Sequence, residues 1–95
     1  MGLKFEWDSE KAKKNLKKHN VSFEEASSVF ADPLALTIHD PVHSEVEDRY
    51  VTLGESNRRR LVVVVFTDRD DRIRIISAST ATRQERKDYE KGNFE

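Results

Sequence analysis

An α+β two-layer domain, in which helices cover an antiparallel meander, is the fold this sequence predicts. Three observations lead to it. Helical spacing with capping residues appears twice before residue 33 and once after residue 82. Period-2 alternation and an unbroken valine run fill the stretch between. No internal repeat, linker or low-complexity tract divides the 95 residues, so one modest core serves the whole chain.

The elements follow in order. Residues 3–7 (LKFEW) alternate apolar with polar and predict a short strand. Asp8 is an N-cap for a helix over 9–19, with Ala12, Leu16 and His19 at helical spacing and Asn20 able to end it in the left-handed conformation. Ser22 and Glu25 stand at capping-box spacing. Ala26, Val29 and Phe30 give this second, short helix its buried stripe before Asp32-Pro33 stops it. Leu34, Leu36 and Ile38 predict a half-buried strand, and the polar segment 39–47 reads as a loop. Arg49, Val51 and Leu53 alternate as the next strand, and Gly54-Glu55-Ser56-Asn57 is turn chemistry. The run Leu61-Val62-Val63-Val64-Val65-Phe66 is apolar on both faces and therefore central. Asp68-Arg69-Asp70-Asp71 makes a hairpin loop into a strand over 72–77, where Arg72 and Arg74 alternate with Ile73 and Ile75. The alternation breaks at Ser77-Ala78-Ser79-Thr80, which reads as a polar link. Thr82 and Glu85 then open a last helix over 83–91 that ends near Gly92, leaving a frayed tail of Asn93, Phe94 and Glu95. The expected architecture is an antiparallel sheet of about four strands packed against two N-terminal helices, with a short C-terminal helix.

Composition narrows the function classes. Hydrophobic residues make up 36% and charged residues 37%, so the chain is polar yet able to bury a core. It has no cysteine, which excludes disulfides and thiolate zinc sites and fits a reducing compartment. It also shows no membrane-length apolar run and no secretory leader, so a cytoplasmic protein without membrane contact is expected. The net charge of −1 does not mark a nucleic-acid binder, but the charges are unevenly placed. Lys11, Lys13, Lys14, Lys17 and Lys18 form one basic segment, Arg58-Arg59-Arg60 another, and Arg69, Arg72, Arg74, Arg83 and Arg86 a third.

Candidate sites carry competing readings. His39, Asp40, His43 and Glu47 match no standard metal spacing, so a solvated loop is expected there, with neither metal nor cofactor. His19 is an acid–base candidate by its ordinary pKa or, alternatively, a helix-terminal residue favoured by the dipole. Trp7 offers a base-stacking platform or, alternatively, a packing anchor. The C-terminal arginines suit phosphate oxygens. Cleavage of RNA by the ribose 2′-OH needs a base, cations for the phosphorane and an acid, which Arg72, Arg74, Arg83 and Arg86 with Tyr89 would supply without metal. Surface ion pairing with Asp70, Asp71, Glu85 and Asp88 is the opposing reading.

FEWD at 5–8, KAKKNLKKHNVSFEEASSVFADP at 11–33, RYVTLG at 49–54 and RIRIISASTATRQER at 72–86 together resemble BrnT-type toxins of type II toxin–antitoxin modules. The resemblance implies a RelE-like fold and a metal-independent ribonuclease that inhibits translation. It also implies a ribbon-helix-helix antitoxin partner, with DNA reached only through that partner. Members usually read I-S-A-R-K-A where this chain has Ile76-Ser77-Ala78-Ser79-Thr80-Ala81. Ser79 and Thr80 offer hydrogen bonds to phosphate but no charge, which implies attenuated cleavage, or its replacement by Arg69 or Arg83. Two alternatives stay open: a non-catalytic antitoxin-binding co-repressor on the same fold, and a homo-oligomer.

Overall fold

The computed structural model describes residues 3–41 and 47–94. Strand β1 (Lys4–Glu6) leads into helix α1 (Ser9–His19), then α2 (Phe23–Ser28), which tightens into a 3-10 turn over Val29–Ala31. Strands β2 (Leu36–Asp40), β3 (Arg49–Glu55), β4 (Leu61–Arg69) and β5 (Arg72–Thr80) follow, and α3 (Arg83–Lys91) closes the chain.

The helix ends fall where the capping residues put them. Asp8 Oδ1 accepts from the backbone N–H groups of Glu10 at 2.8 Å and Lys11 at 3.2 Å, and Asn20 ends α1 with φ of 59°. Of the helically spaced Ala12, Leu16 and His19 in α1, the first and last are half-buried, and Leu16 is 48% exposed. Asn15 fastens the helix instead. Its amide donates to the carbonyls of Ala78 at 2.8 Å and Val21 at 2.9 Å and accepts from Ala78 N–H at 3.1 Å, standing where a neighbouring strand would pair with β5. In α2 the capping box is half made. Ser22 Oγ accepts from Glu25 N–H at 3.0 Å, but the Glu25 carboxylate turns away to Arg60.

The sheet corrects the expectation of about four antiparallel strands. It has five, in the order β1-β5-β4-β3-β2, and β1 pairs parallel with β5 through Lys4, Phe5 and Glu6 against Arg72, Ile73 and Arg74. Between β1 and β2 the two helices carry the chain from one edge of the sheet to the other. The antiparallel meander then returns it strand by strand until β5 reaches β1. A parallel pair needs no tight turn, so nothing local in the sequence announces it. β4 is central, as its valine run requires.

Strand bounds differ from expectation in two instructive places. β2 starts at Leu36 rather than Leu34, because Asp32 Oδ1 accepts from Leu34 N–H at 2.9 Å and holds the chain in a turn that leaves Leu34 68% exposed. It also runs through His39 to Asp40, inside the segment read as a loop; His43 lies outside the described residues. The second difference is in β5. Residues 77–80 are not a link but the end of the strand: Ser77, Ala78, Ser79 and Thr80 pair with Val65, Val64, Val63 and Val62. Phe66 pairs with Ile75, so Ile76 is an extra residue, a β-bulge. The bulge switches the alternation, putting Ile75 and Ala78 on one face and Arg74 and Ser77 on the other. That switch is the break seen in the sequence.

On one face, Val21, Phe23, Ala26 and Val29 pack with Val62, Val64, Ile75 and Ala78 into the main core. Rings continue it: Phe5, Phe30, Phe66 and Tyr50 form a chain of contacts with centroids 4.9–5.7 Å apart. Gly54 is required here, since a Cβ would lie 2.9 Å from Val29 Cγ1 and 3.0 Å from Ala35 Cβ. Among the described residues the opposite face is covered at one end only. Leu53, Leu61 and Val63 meet Tyr89 and Phe94 there. Of the tail expected to fray, Asn93 and Phe94 are docked: Gly92 turns with φ of 74°, Asn93 N–H reaches Asp88 O at 3.0 Å, and Phe94 packs down, while Glu95 lies outside the described residues. Among the described residues no helix is long and apolar enough to cross a membrane.

Candidate functional site

The other end of that second face holds a dense group of charges. Strand alternation puts Glu6 of β1, Arg72 and Arg74 of β5, and Thr67 and Arg69 of β4 on it. Glu6 faces three guanidinium groups: Arg74 Nη1 at 3.2 Å, Arg69 Nη1 at 3.7 Å and Arg72 Nη1 at 3.8 Å. Arg69 is also held by Glu47 in a forked pair, with Nε at 3.1 Å and Nη2 at 2.8 Å. Those hydrogen bonds hold the Glu47 carboxyl below the ordinary range and raise Arg69 further. The Glu6 side chain is 27% exposed, and the guanidinium-bearing side chains are 31–53% exposed, so the cluster is open to a ligand.

Thr67 lies beside the cluster, paired with Arg74 on one side and Arg49 on the other. Its hydroxyl is buried and makes no hydrogen bond among the described residues. Together these side chains bring a proton-accepting carboxylate within 4 Å of three fixed cations. Such a set can hold a phosphodiester by its oxygens while the carboxylate takes a proton from a neighbouring hydroxyl.

The structure brings Arg72 and Arg74 together and leaves the other sequence candidates elsewhere. Arg83 and Arg86 are exposed on α3, beyond the far end of β5. Ser79 pairs with Val63 and Thr80 with Val62, about 15 Å along the strand from Arg74. The strand arginines are therefore apart from Ser79, Thr80 and the start of α3. Continuation of the strand through Thr80 separates them. Tyr89 does not face the arginines. Its hydroxyl donates to Asp32 Oδ2 at 2.7 Å, and that bond, with burial, pushes the phenol up to about 12. Burial pushes Asp32 the other way from its partners, but hydrogen bonds from Glu55, Tyr89 and Leu34 prevail and lower it. Trp7 packs edge-on against Phe23, with centroids 5.9 Å apart, as a core anchor. His19 lines a shallow cleft with Lys11, Lys14 and Lys18. His39 Nε2 lies 3.1 Å from Asp48 Oδ1.

Sequence reasoning missed Glu6 and Thr67. Alternation around Phe5 marks Glu6 as solvent-facing, but its partners lie 63 or more residues away, across a pairing with no local signature. Thr67 follows the valine run and looks like its frayed end.

A profile of the family described as "Ribonuclease toxin, BrnT, of type II toxin-antitoxin system" matches residues 7–85. The fold is similar to the crystal structure of the Brucella abortus ribonuclease toxin BrnT, with a TM-score of 0.63 and 21% identity over 86% of this chain and 100% of that one. No protein with a curated description matches the chain in sequence. With a family match spanning most of its length, the chain belongs to the BrnT family of ribonuclease toxins of type II toxin–antitoxin systems.

Proposed function

We propose that this toxin is an endoribonuclease whose reaction centre is the Glu6–arginine cluster. Glu6 takes the proton of a ribose 2′-OH. The 2′-oxygen attacks the adjacent phosphorus, and Arg69, Arg72 and Arg74 offset the negative charge that builds up on the phosphorane. The P–O5′ bond breaks, and the leaving oxygen takes a proton from solvent or from the Glu6 carboxyl. The products are a 2′,3′-cyclic phosphate and a 5′-hydroxyl. The guanidinium groups supply the positive charge, so the reaction runs without a metal. Cleavage of RNA in the cytoplasm stops translation, and a ribbon-helix-helix antitoxin neutralises the toxin.

The observation that carries this reading is an open carboxylate, that of Glu6, faced by three guanidinium groups. It also bears on attenuation. Ser79 and Thr80 stand about 15 Å along β5 from Arg74, so the missing cations there leave the cluster's own charge intact.

The test is incubation of purified toxin with single-stranded RNA in EDTA, followed by analysis of the ends. Cleavage yielding cyclic phosphate and 5′-hydroxyl ends is expected. The double variant Ser79→Arg with Thr80→Lys should change the rate by less than about tenfold, below the loss typical of one preorganised donor. RNA left intact at high toxin concentration overturns catalysis and favours the co-repressor reading. A gain of about a hundredfold or more in the double variant moves the reaction centre to the strand exit.

A further inference from the structure

A second basic surface lies between α1 and the edge of β5, outside the cluster assigned to the reaction. It is a shallow cleft of about 220 Å³, with Lys11, Lys14, Lys18 and His19 on the helical side and Ile76 and Ser77 on the strand side. Positions 11, 14, 18 and 19 share one helical face. Among the described residues no carboxylate lines the cleft. Among the described residues the three lysines have no ion-pair partner, whereas Lys13, on the neighbouring face, pairs with Glu10 at 3.7 Å.

The fold keeps this cleft open. β1 ends at Glu6, opposite Arg74, so among the described residues no strand covers the edge of β5 beyond that point. Asn15 holds α1 over the edge through the backbone of Ala78, and the bulge at Ile76 turns Ser77 to the same face as Arg74. Ser77 and Arg74 pair with Val65 and Thr67, two residues apart on β4, so they are about 7 Å apart along β5. Lys11, Lys14 and Lys18 rise in steps of ~4.5 and ~6 Å along the helix axis, so an extended polyanion running beside α1 meets them in turn.

We infer that this cleft is a phosphate-backbone track for the same RNA strand that enters the arginine cluster. The strand runs from Arg72 and Arg74 past the Ser77 hydroxyl and along the α1 lysines. The lysines hold flanking phosphates one by one and touch no reacting atom. The direction of the track rests on the reading of the cluster as the reaction centre; the binding of RNA by the cleft does not. Continuity with that cluster, on the one strand that reaches both, favours RNA over an acidic protein segment.

The test is RNA binding by the full toxin carrying Glu6→Gln, so that bound RNA stays whole. A second protein adds Lys11→Gln, Lys14→Gln and Lys18→Gln. These lysines are exposed and unpaired, and a Lys→Arg triple variant controls for folding. For a single-stranded RNA long enough to span both surfaces, the slope of log K against log[salt] should shrink by about 2, or ~0.7 for each lysine lost. The arginine triple variant should keep the slope. With Glu6 restored, kcat/KM for the long RNA should fall roughly tenfold or more while kcat holds, as loss of uniform binding requires. A dinucleotide substrate should be unaffected. An unchanged slope overturns the track, as does weakening of antitoxin binding alone, which assigns the cleft to a protein partner. Lysine-dependent RNA binding by a toxin that cleaves nothing upholds the track and removes the reaction centre instead.

Discussion

Glu25 and Glu6 each meet arginine, and their surroundings differ. The Glu25 side chain is 3% exposed and receives Arg60 Nε at 2.7 Å, Arg60 Nη2 at 2.6 Å and Ser56 Oγ at 2.7 Å. Arg60 Nη2 also bonds to Asn20 O at 2.6 Å, so the pair ties α2 and the end of α1 to the β3–β4 turn. Both Glu25 oxygens are occupied, and nothing there can turn to a substrate. Glu6 is 27% exposed, with three cations around one carboxylate at 3.2–3.8 Å. Its ion pairs are longer and solvated, and two of its arginines are shared, Arg69 with Glu47 at 2.8 Å and Arg72 with Asp71 at 3.9 Å. The same two residue types close a joint in one place and form an open, half-exposed cluster in the other. Burial and the geometry of the pairs make the difference.

Breaking the closed pair should have the largest effect on folding. Glu25→Ala leaves the Arg60 guanidinium and Ser56 without their partner, at a cost of about 3–5 kcal/mol, which lowers Tm by more than roughly 10 °C in calorimetry. Glu25 also gives the pH dependence a sign. Arg60's hydrogen bonds first, then that of Ser56, hold its carboxyl below the ordinary glutamate value of 4.5. The folded pKa is lower than the unfolded one, so the stabilisation is complete above the unfolded value and is lost as pH falls through the folded value. Urea midpoints measured down the acid limb should therefore fall less steeply in Glu25→Ala than in the parent. Arg60→Lys keeps the charge but loses the fork, and should cost a smaller amount, about 1–2 kcal/mol in the same urea titrations.

A third carboxylate sharpens the contrast. Asp32 takes the Tyr89 hydroxyl and the Glu55 and Leu34 amides, a structural joint between α3 and the start of β2. Tyr89→Phe should cost about 1 kcal/mol and leave RNA cleavage unchanged, because a phenol at about 12, bonded to Asp32, is poorly placed as an acid. A large loss of rate in that variant would return Tyr89 to the reaction. The smallest effect on folding belongs to the open cluster. Arg72→Ala removes a half-exposed partner of Glu6 and should change stability by less than ~1 kcal/mol by chemical denaturation.

What the sequence disclosed, and what it hid, follows from the range of the interactions. α1 and α3 end where expected because Asp8, Asn20, Thr82 and Gly92 act on their own neighbours. The central place of β4 was visible in its two-sided apolar run. The parallel pairing of β1 with β5 was not, since Lys4 and Arg72 meet only after the whole meander has formed. Half of the candidate site was legible for the same reason. Arg72 and Arg74 share a strand, so their spacing showed a common face. Glu6 reaches them across that parallel pair. The break after Ile75 was seen and misread, because a one-residue bulge and a strand end leave the same mark on the alternation.

The central claim is that Glu6 serves chemistry where Glu25 serves folding. Single-turnover RNA cleavage by Glu6→Gln, with a urea titration of the same protein, tests it most directly. The account expects the rate to fall by ~10²–10⁴, the range for a lost general base, while the unfolding midpoint stays that of the parent. A parental rate, or a loss of rate that tracks a loss of stability, would contradict it.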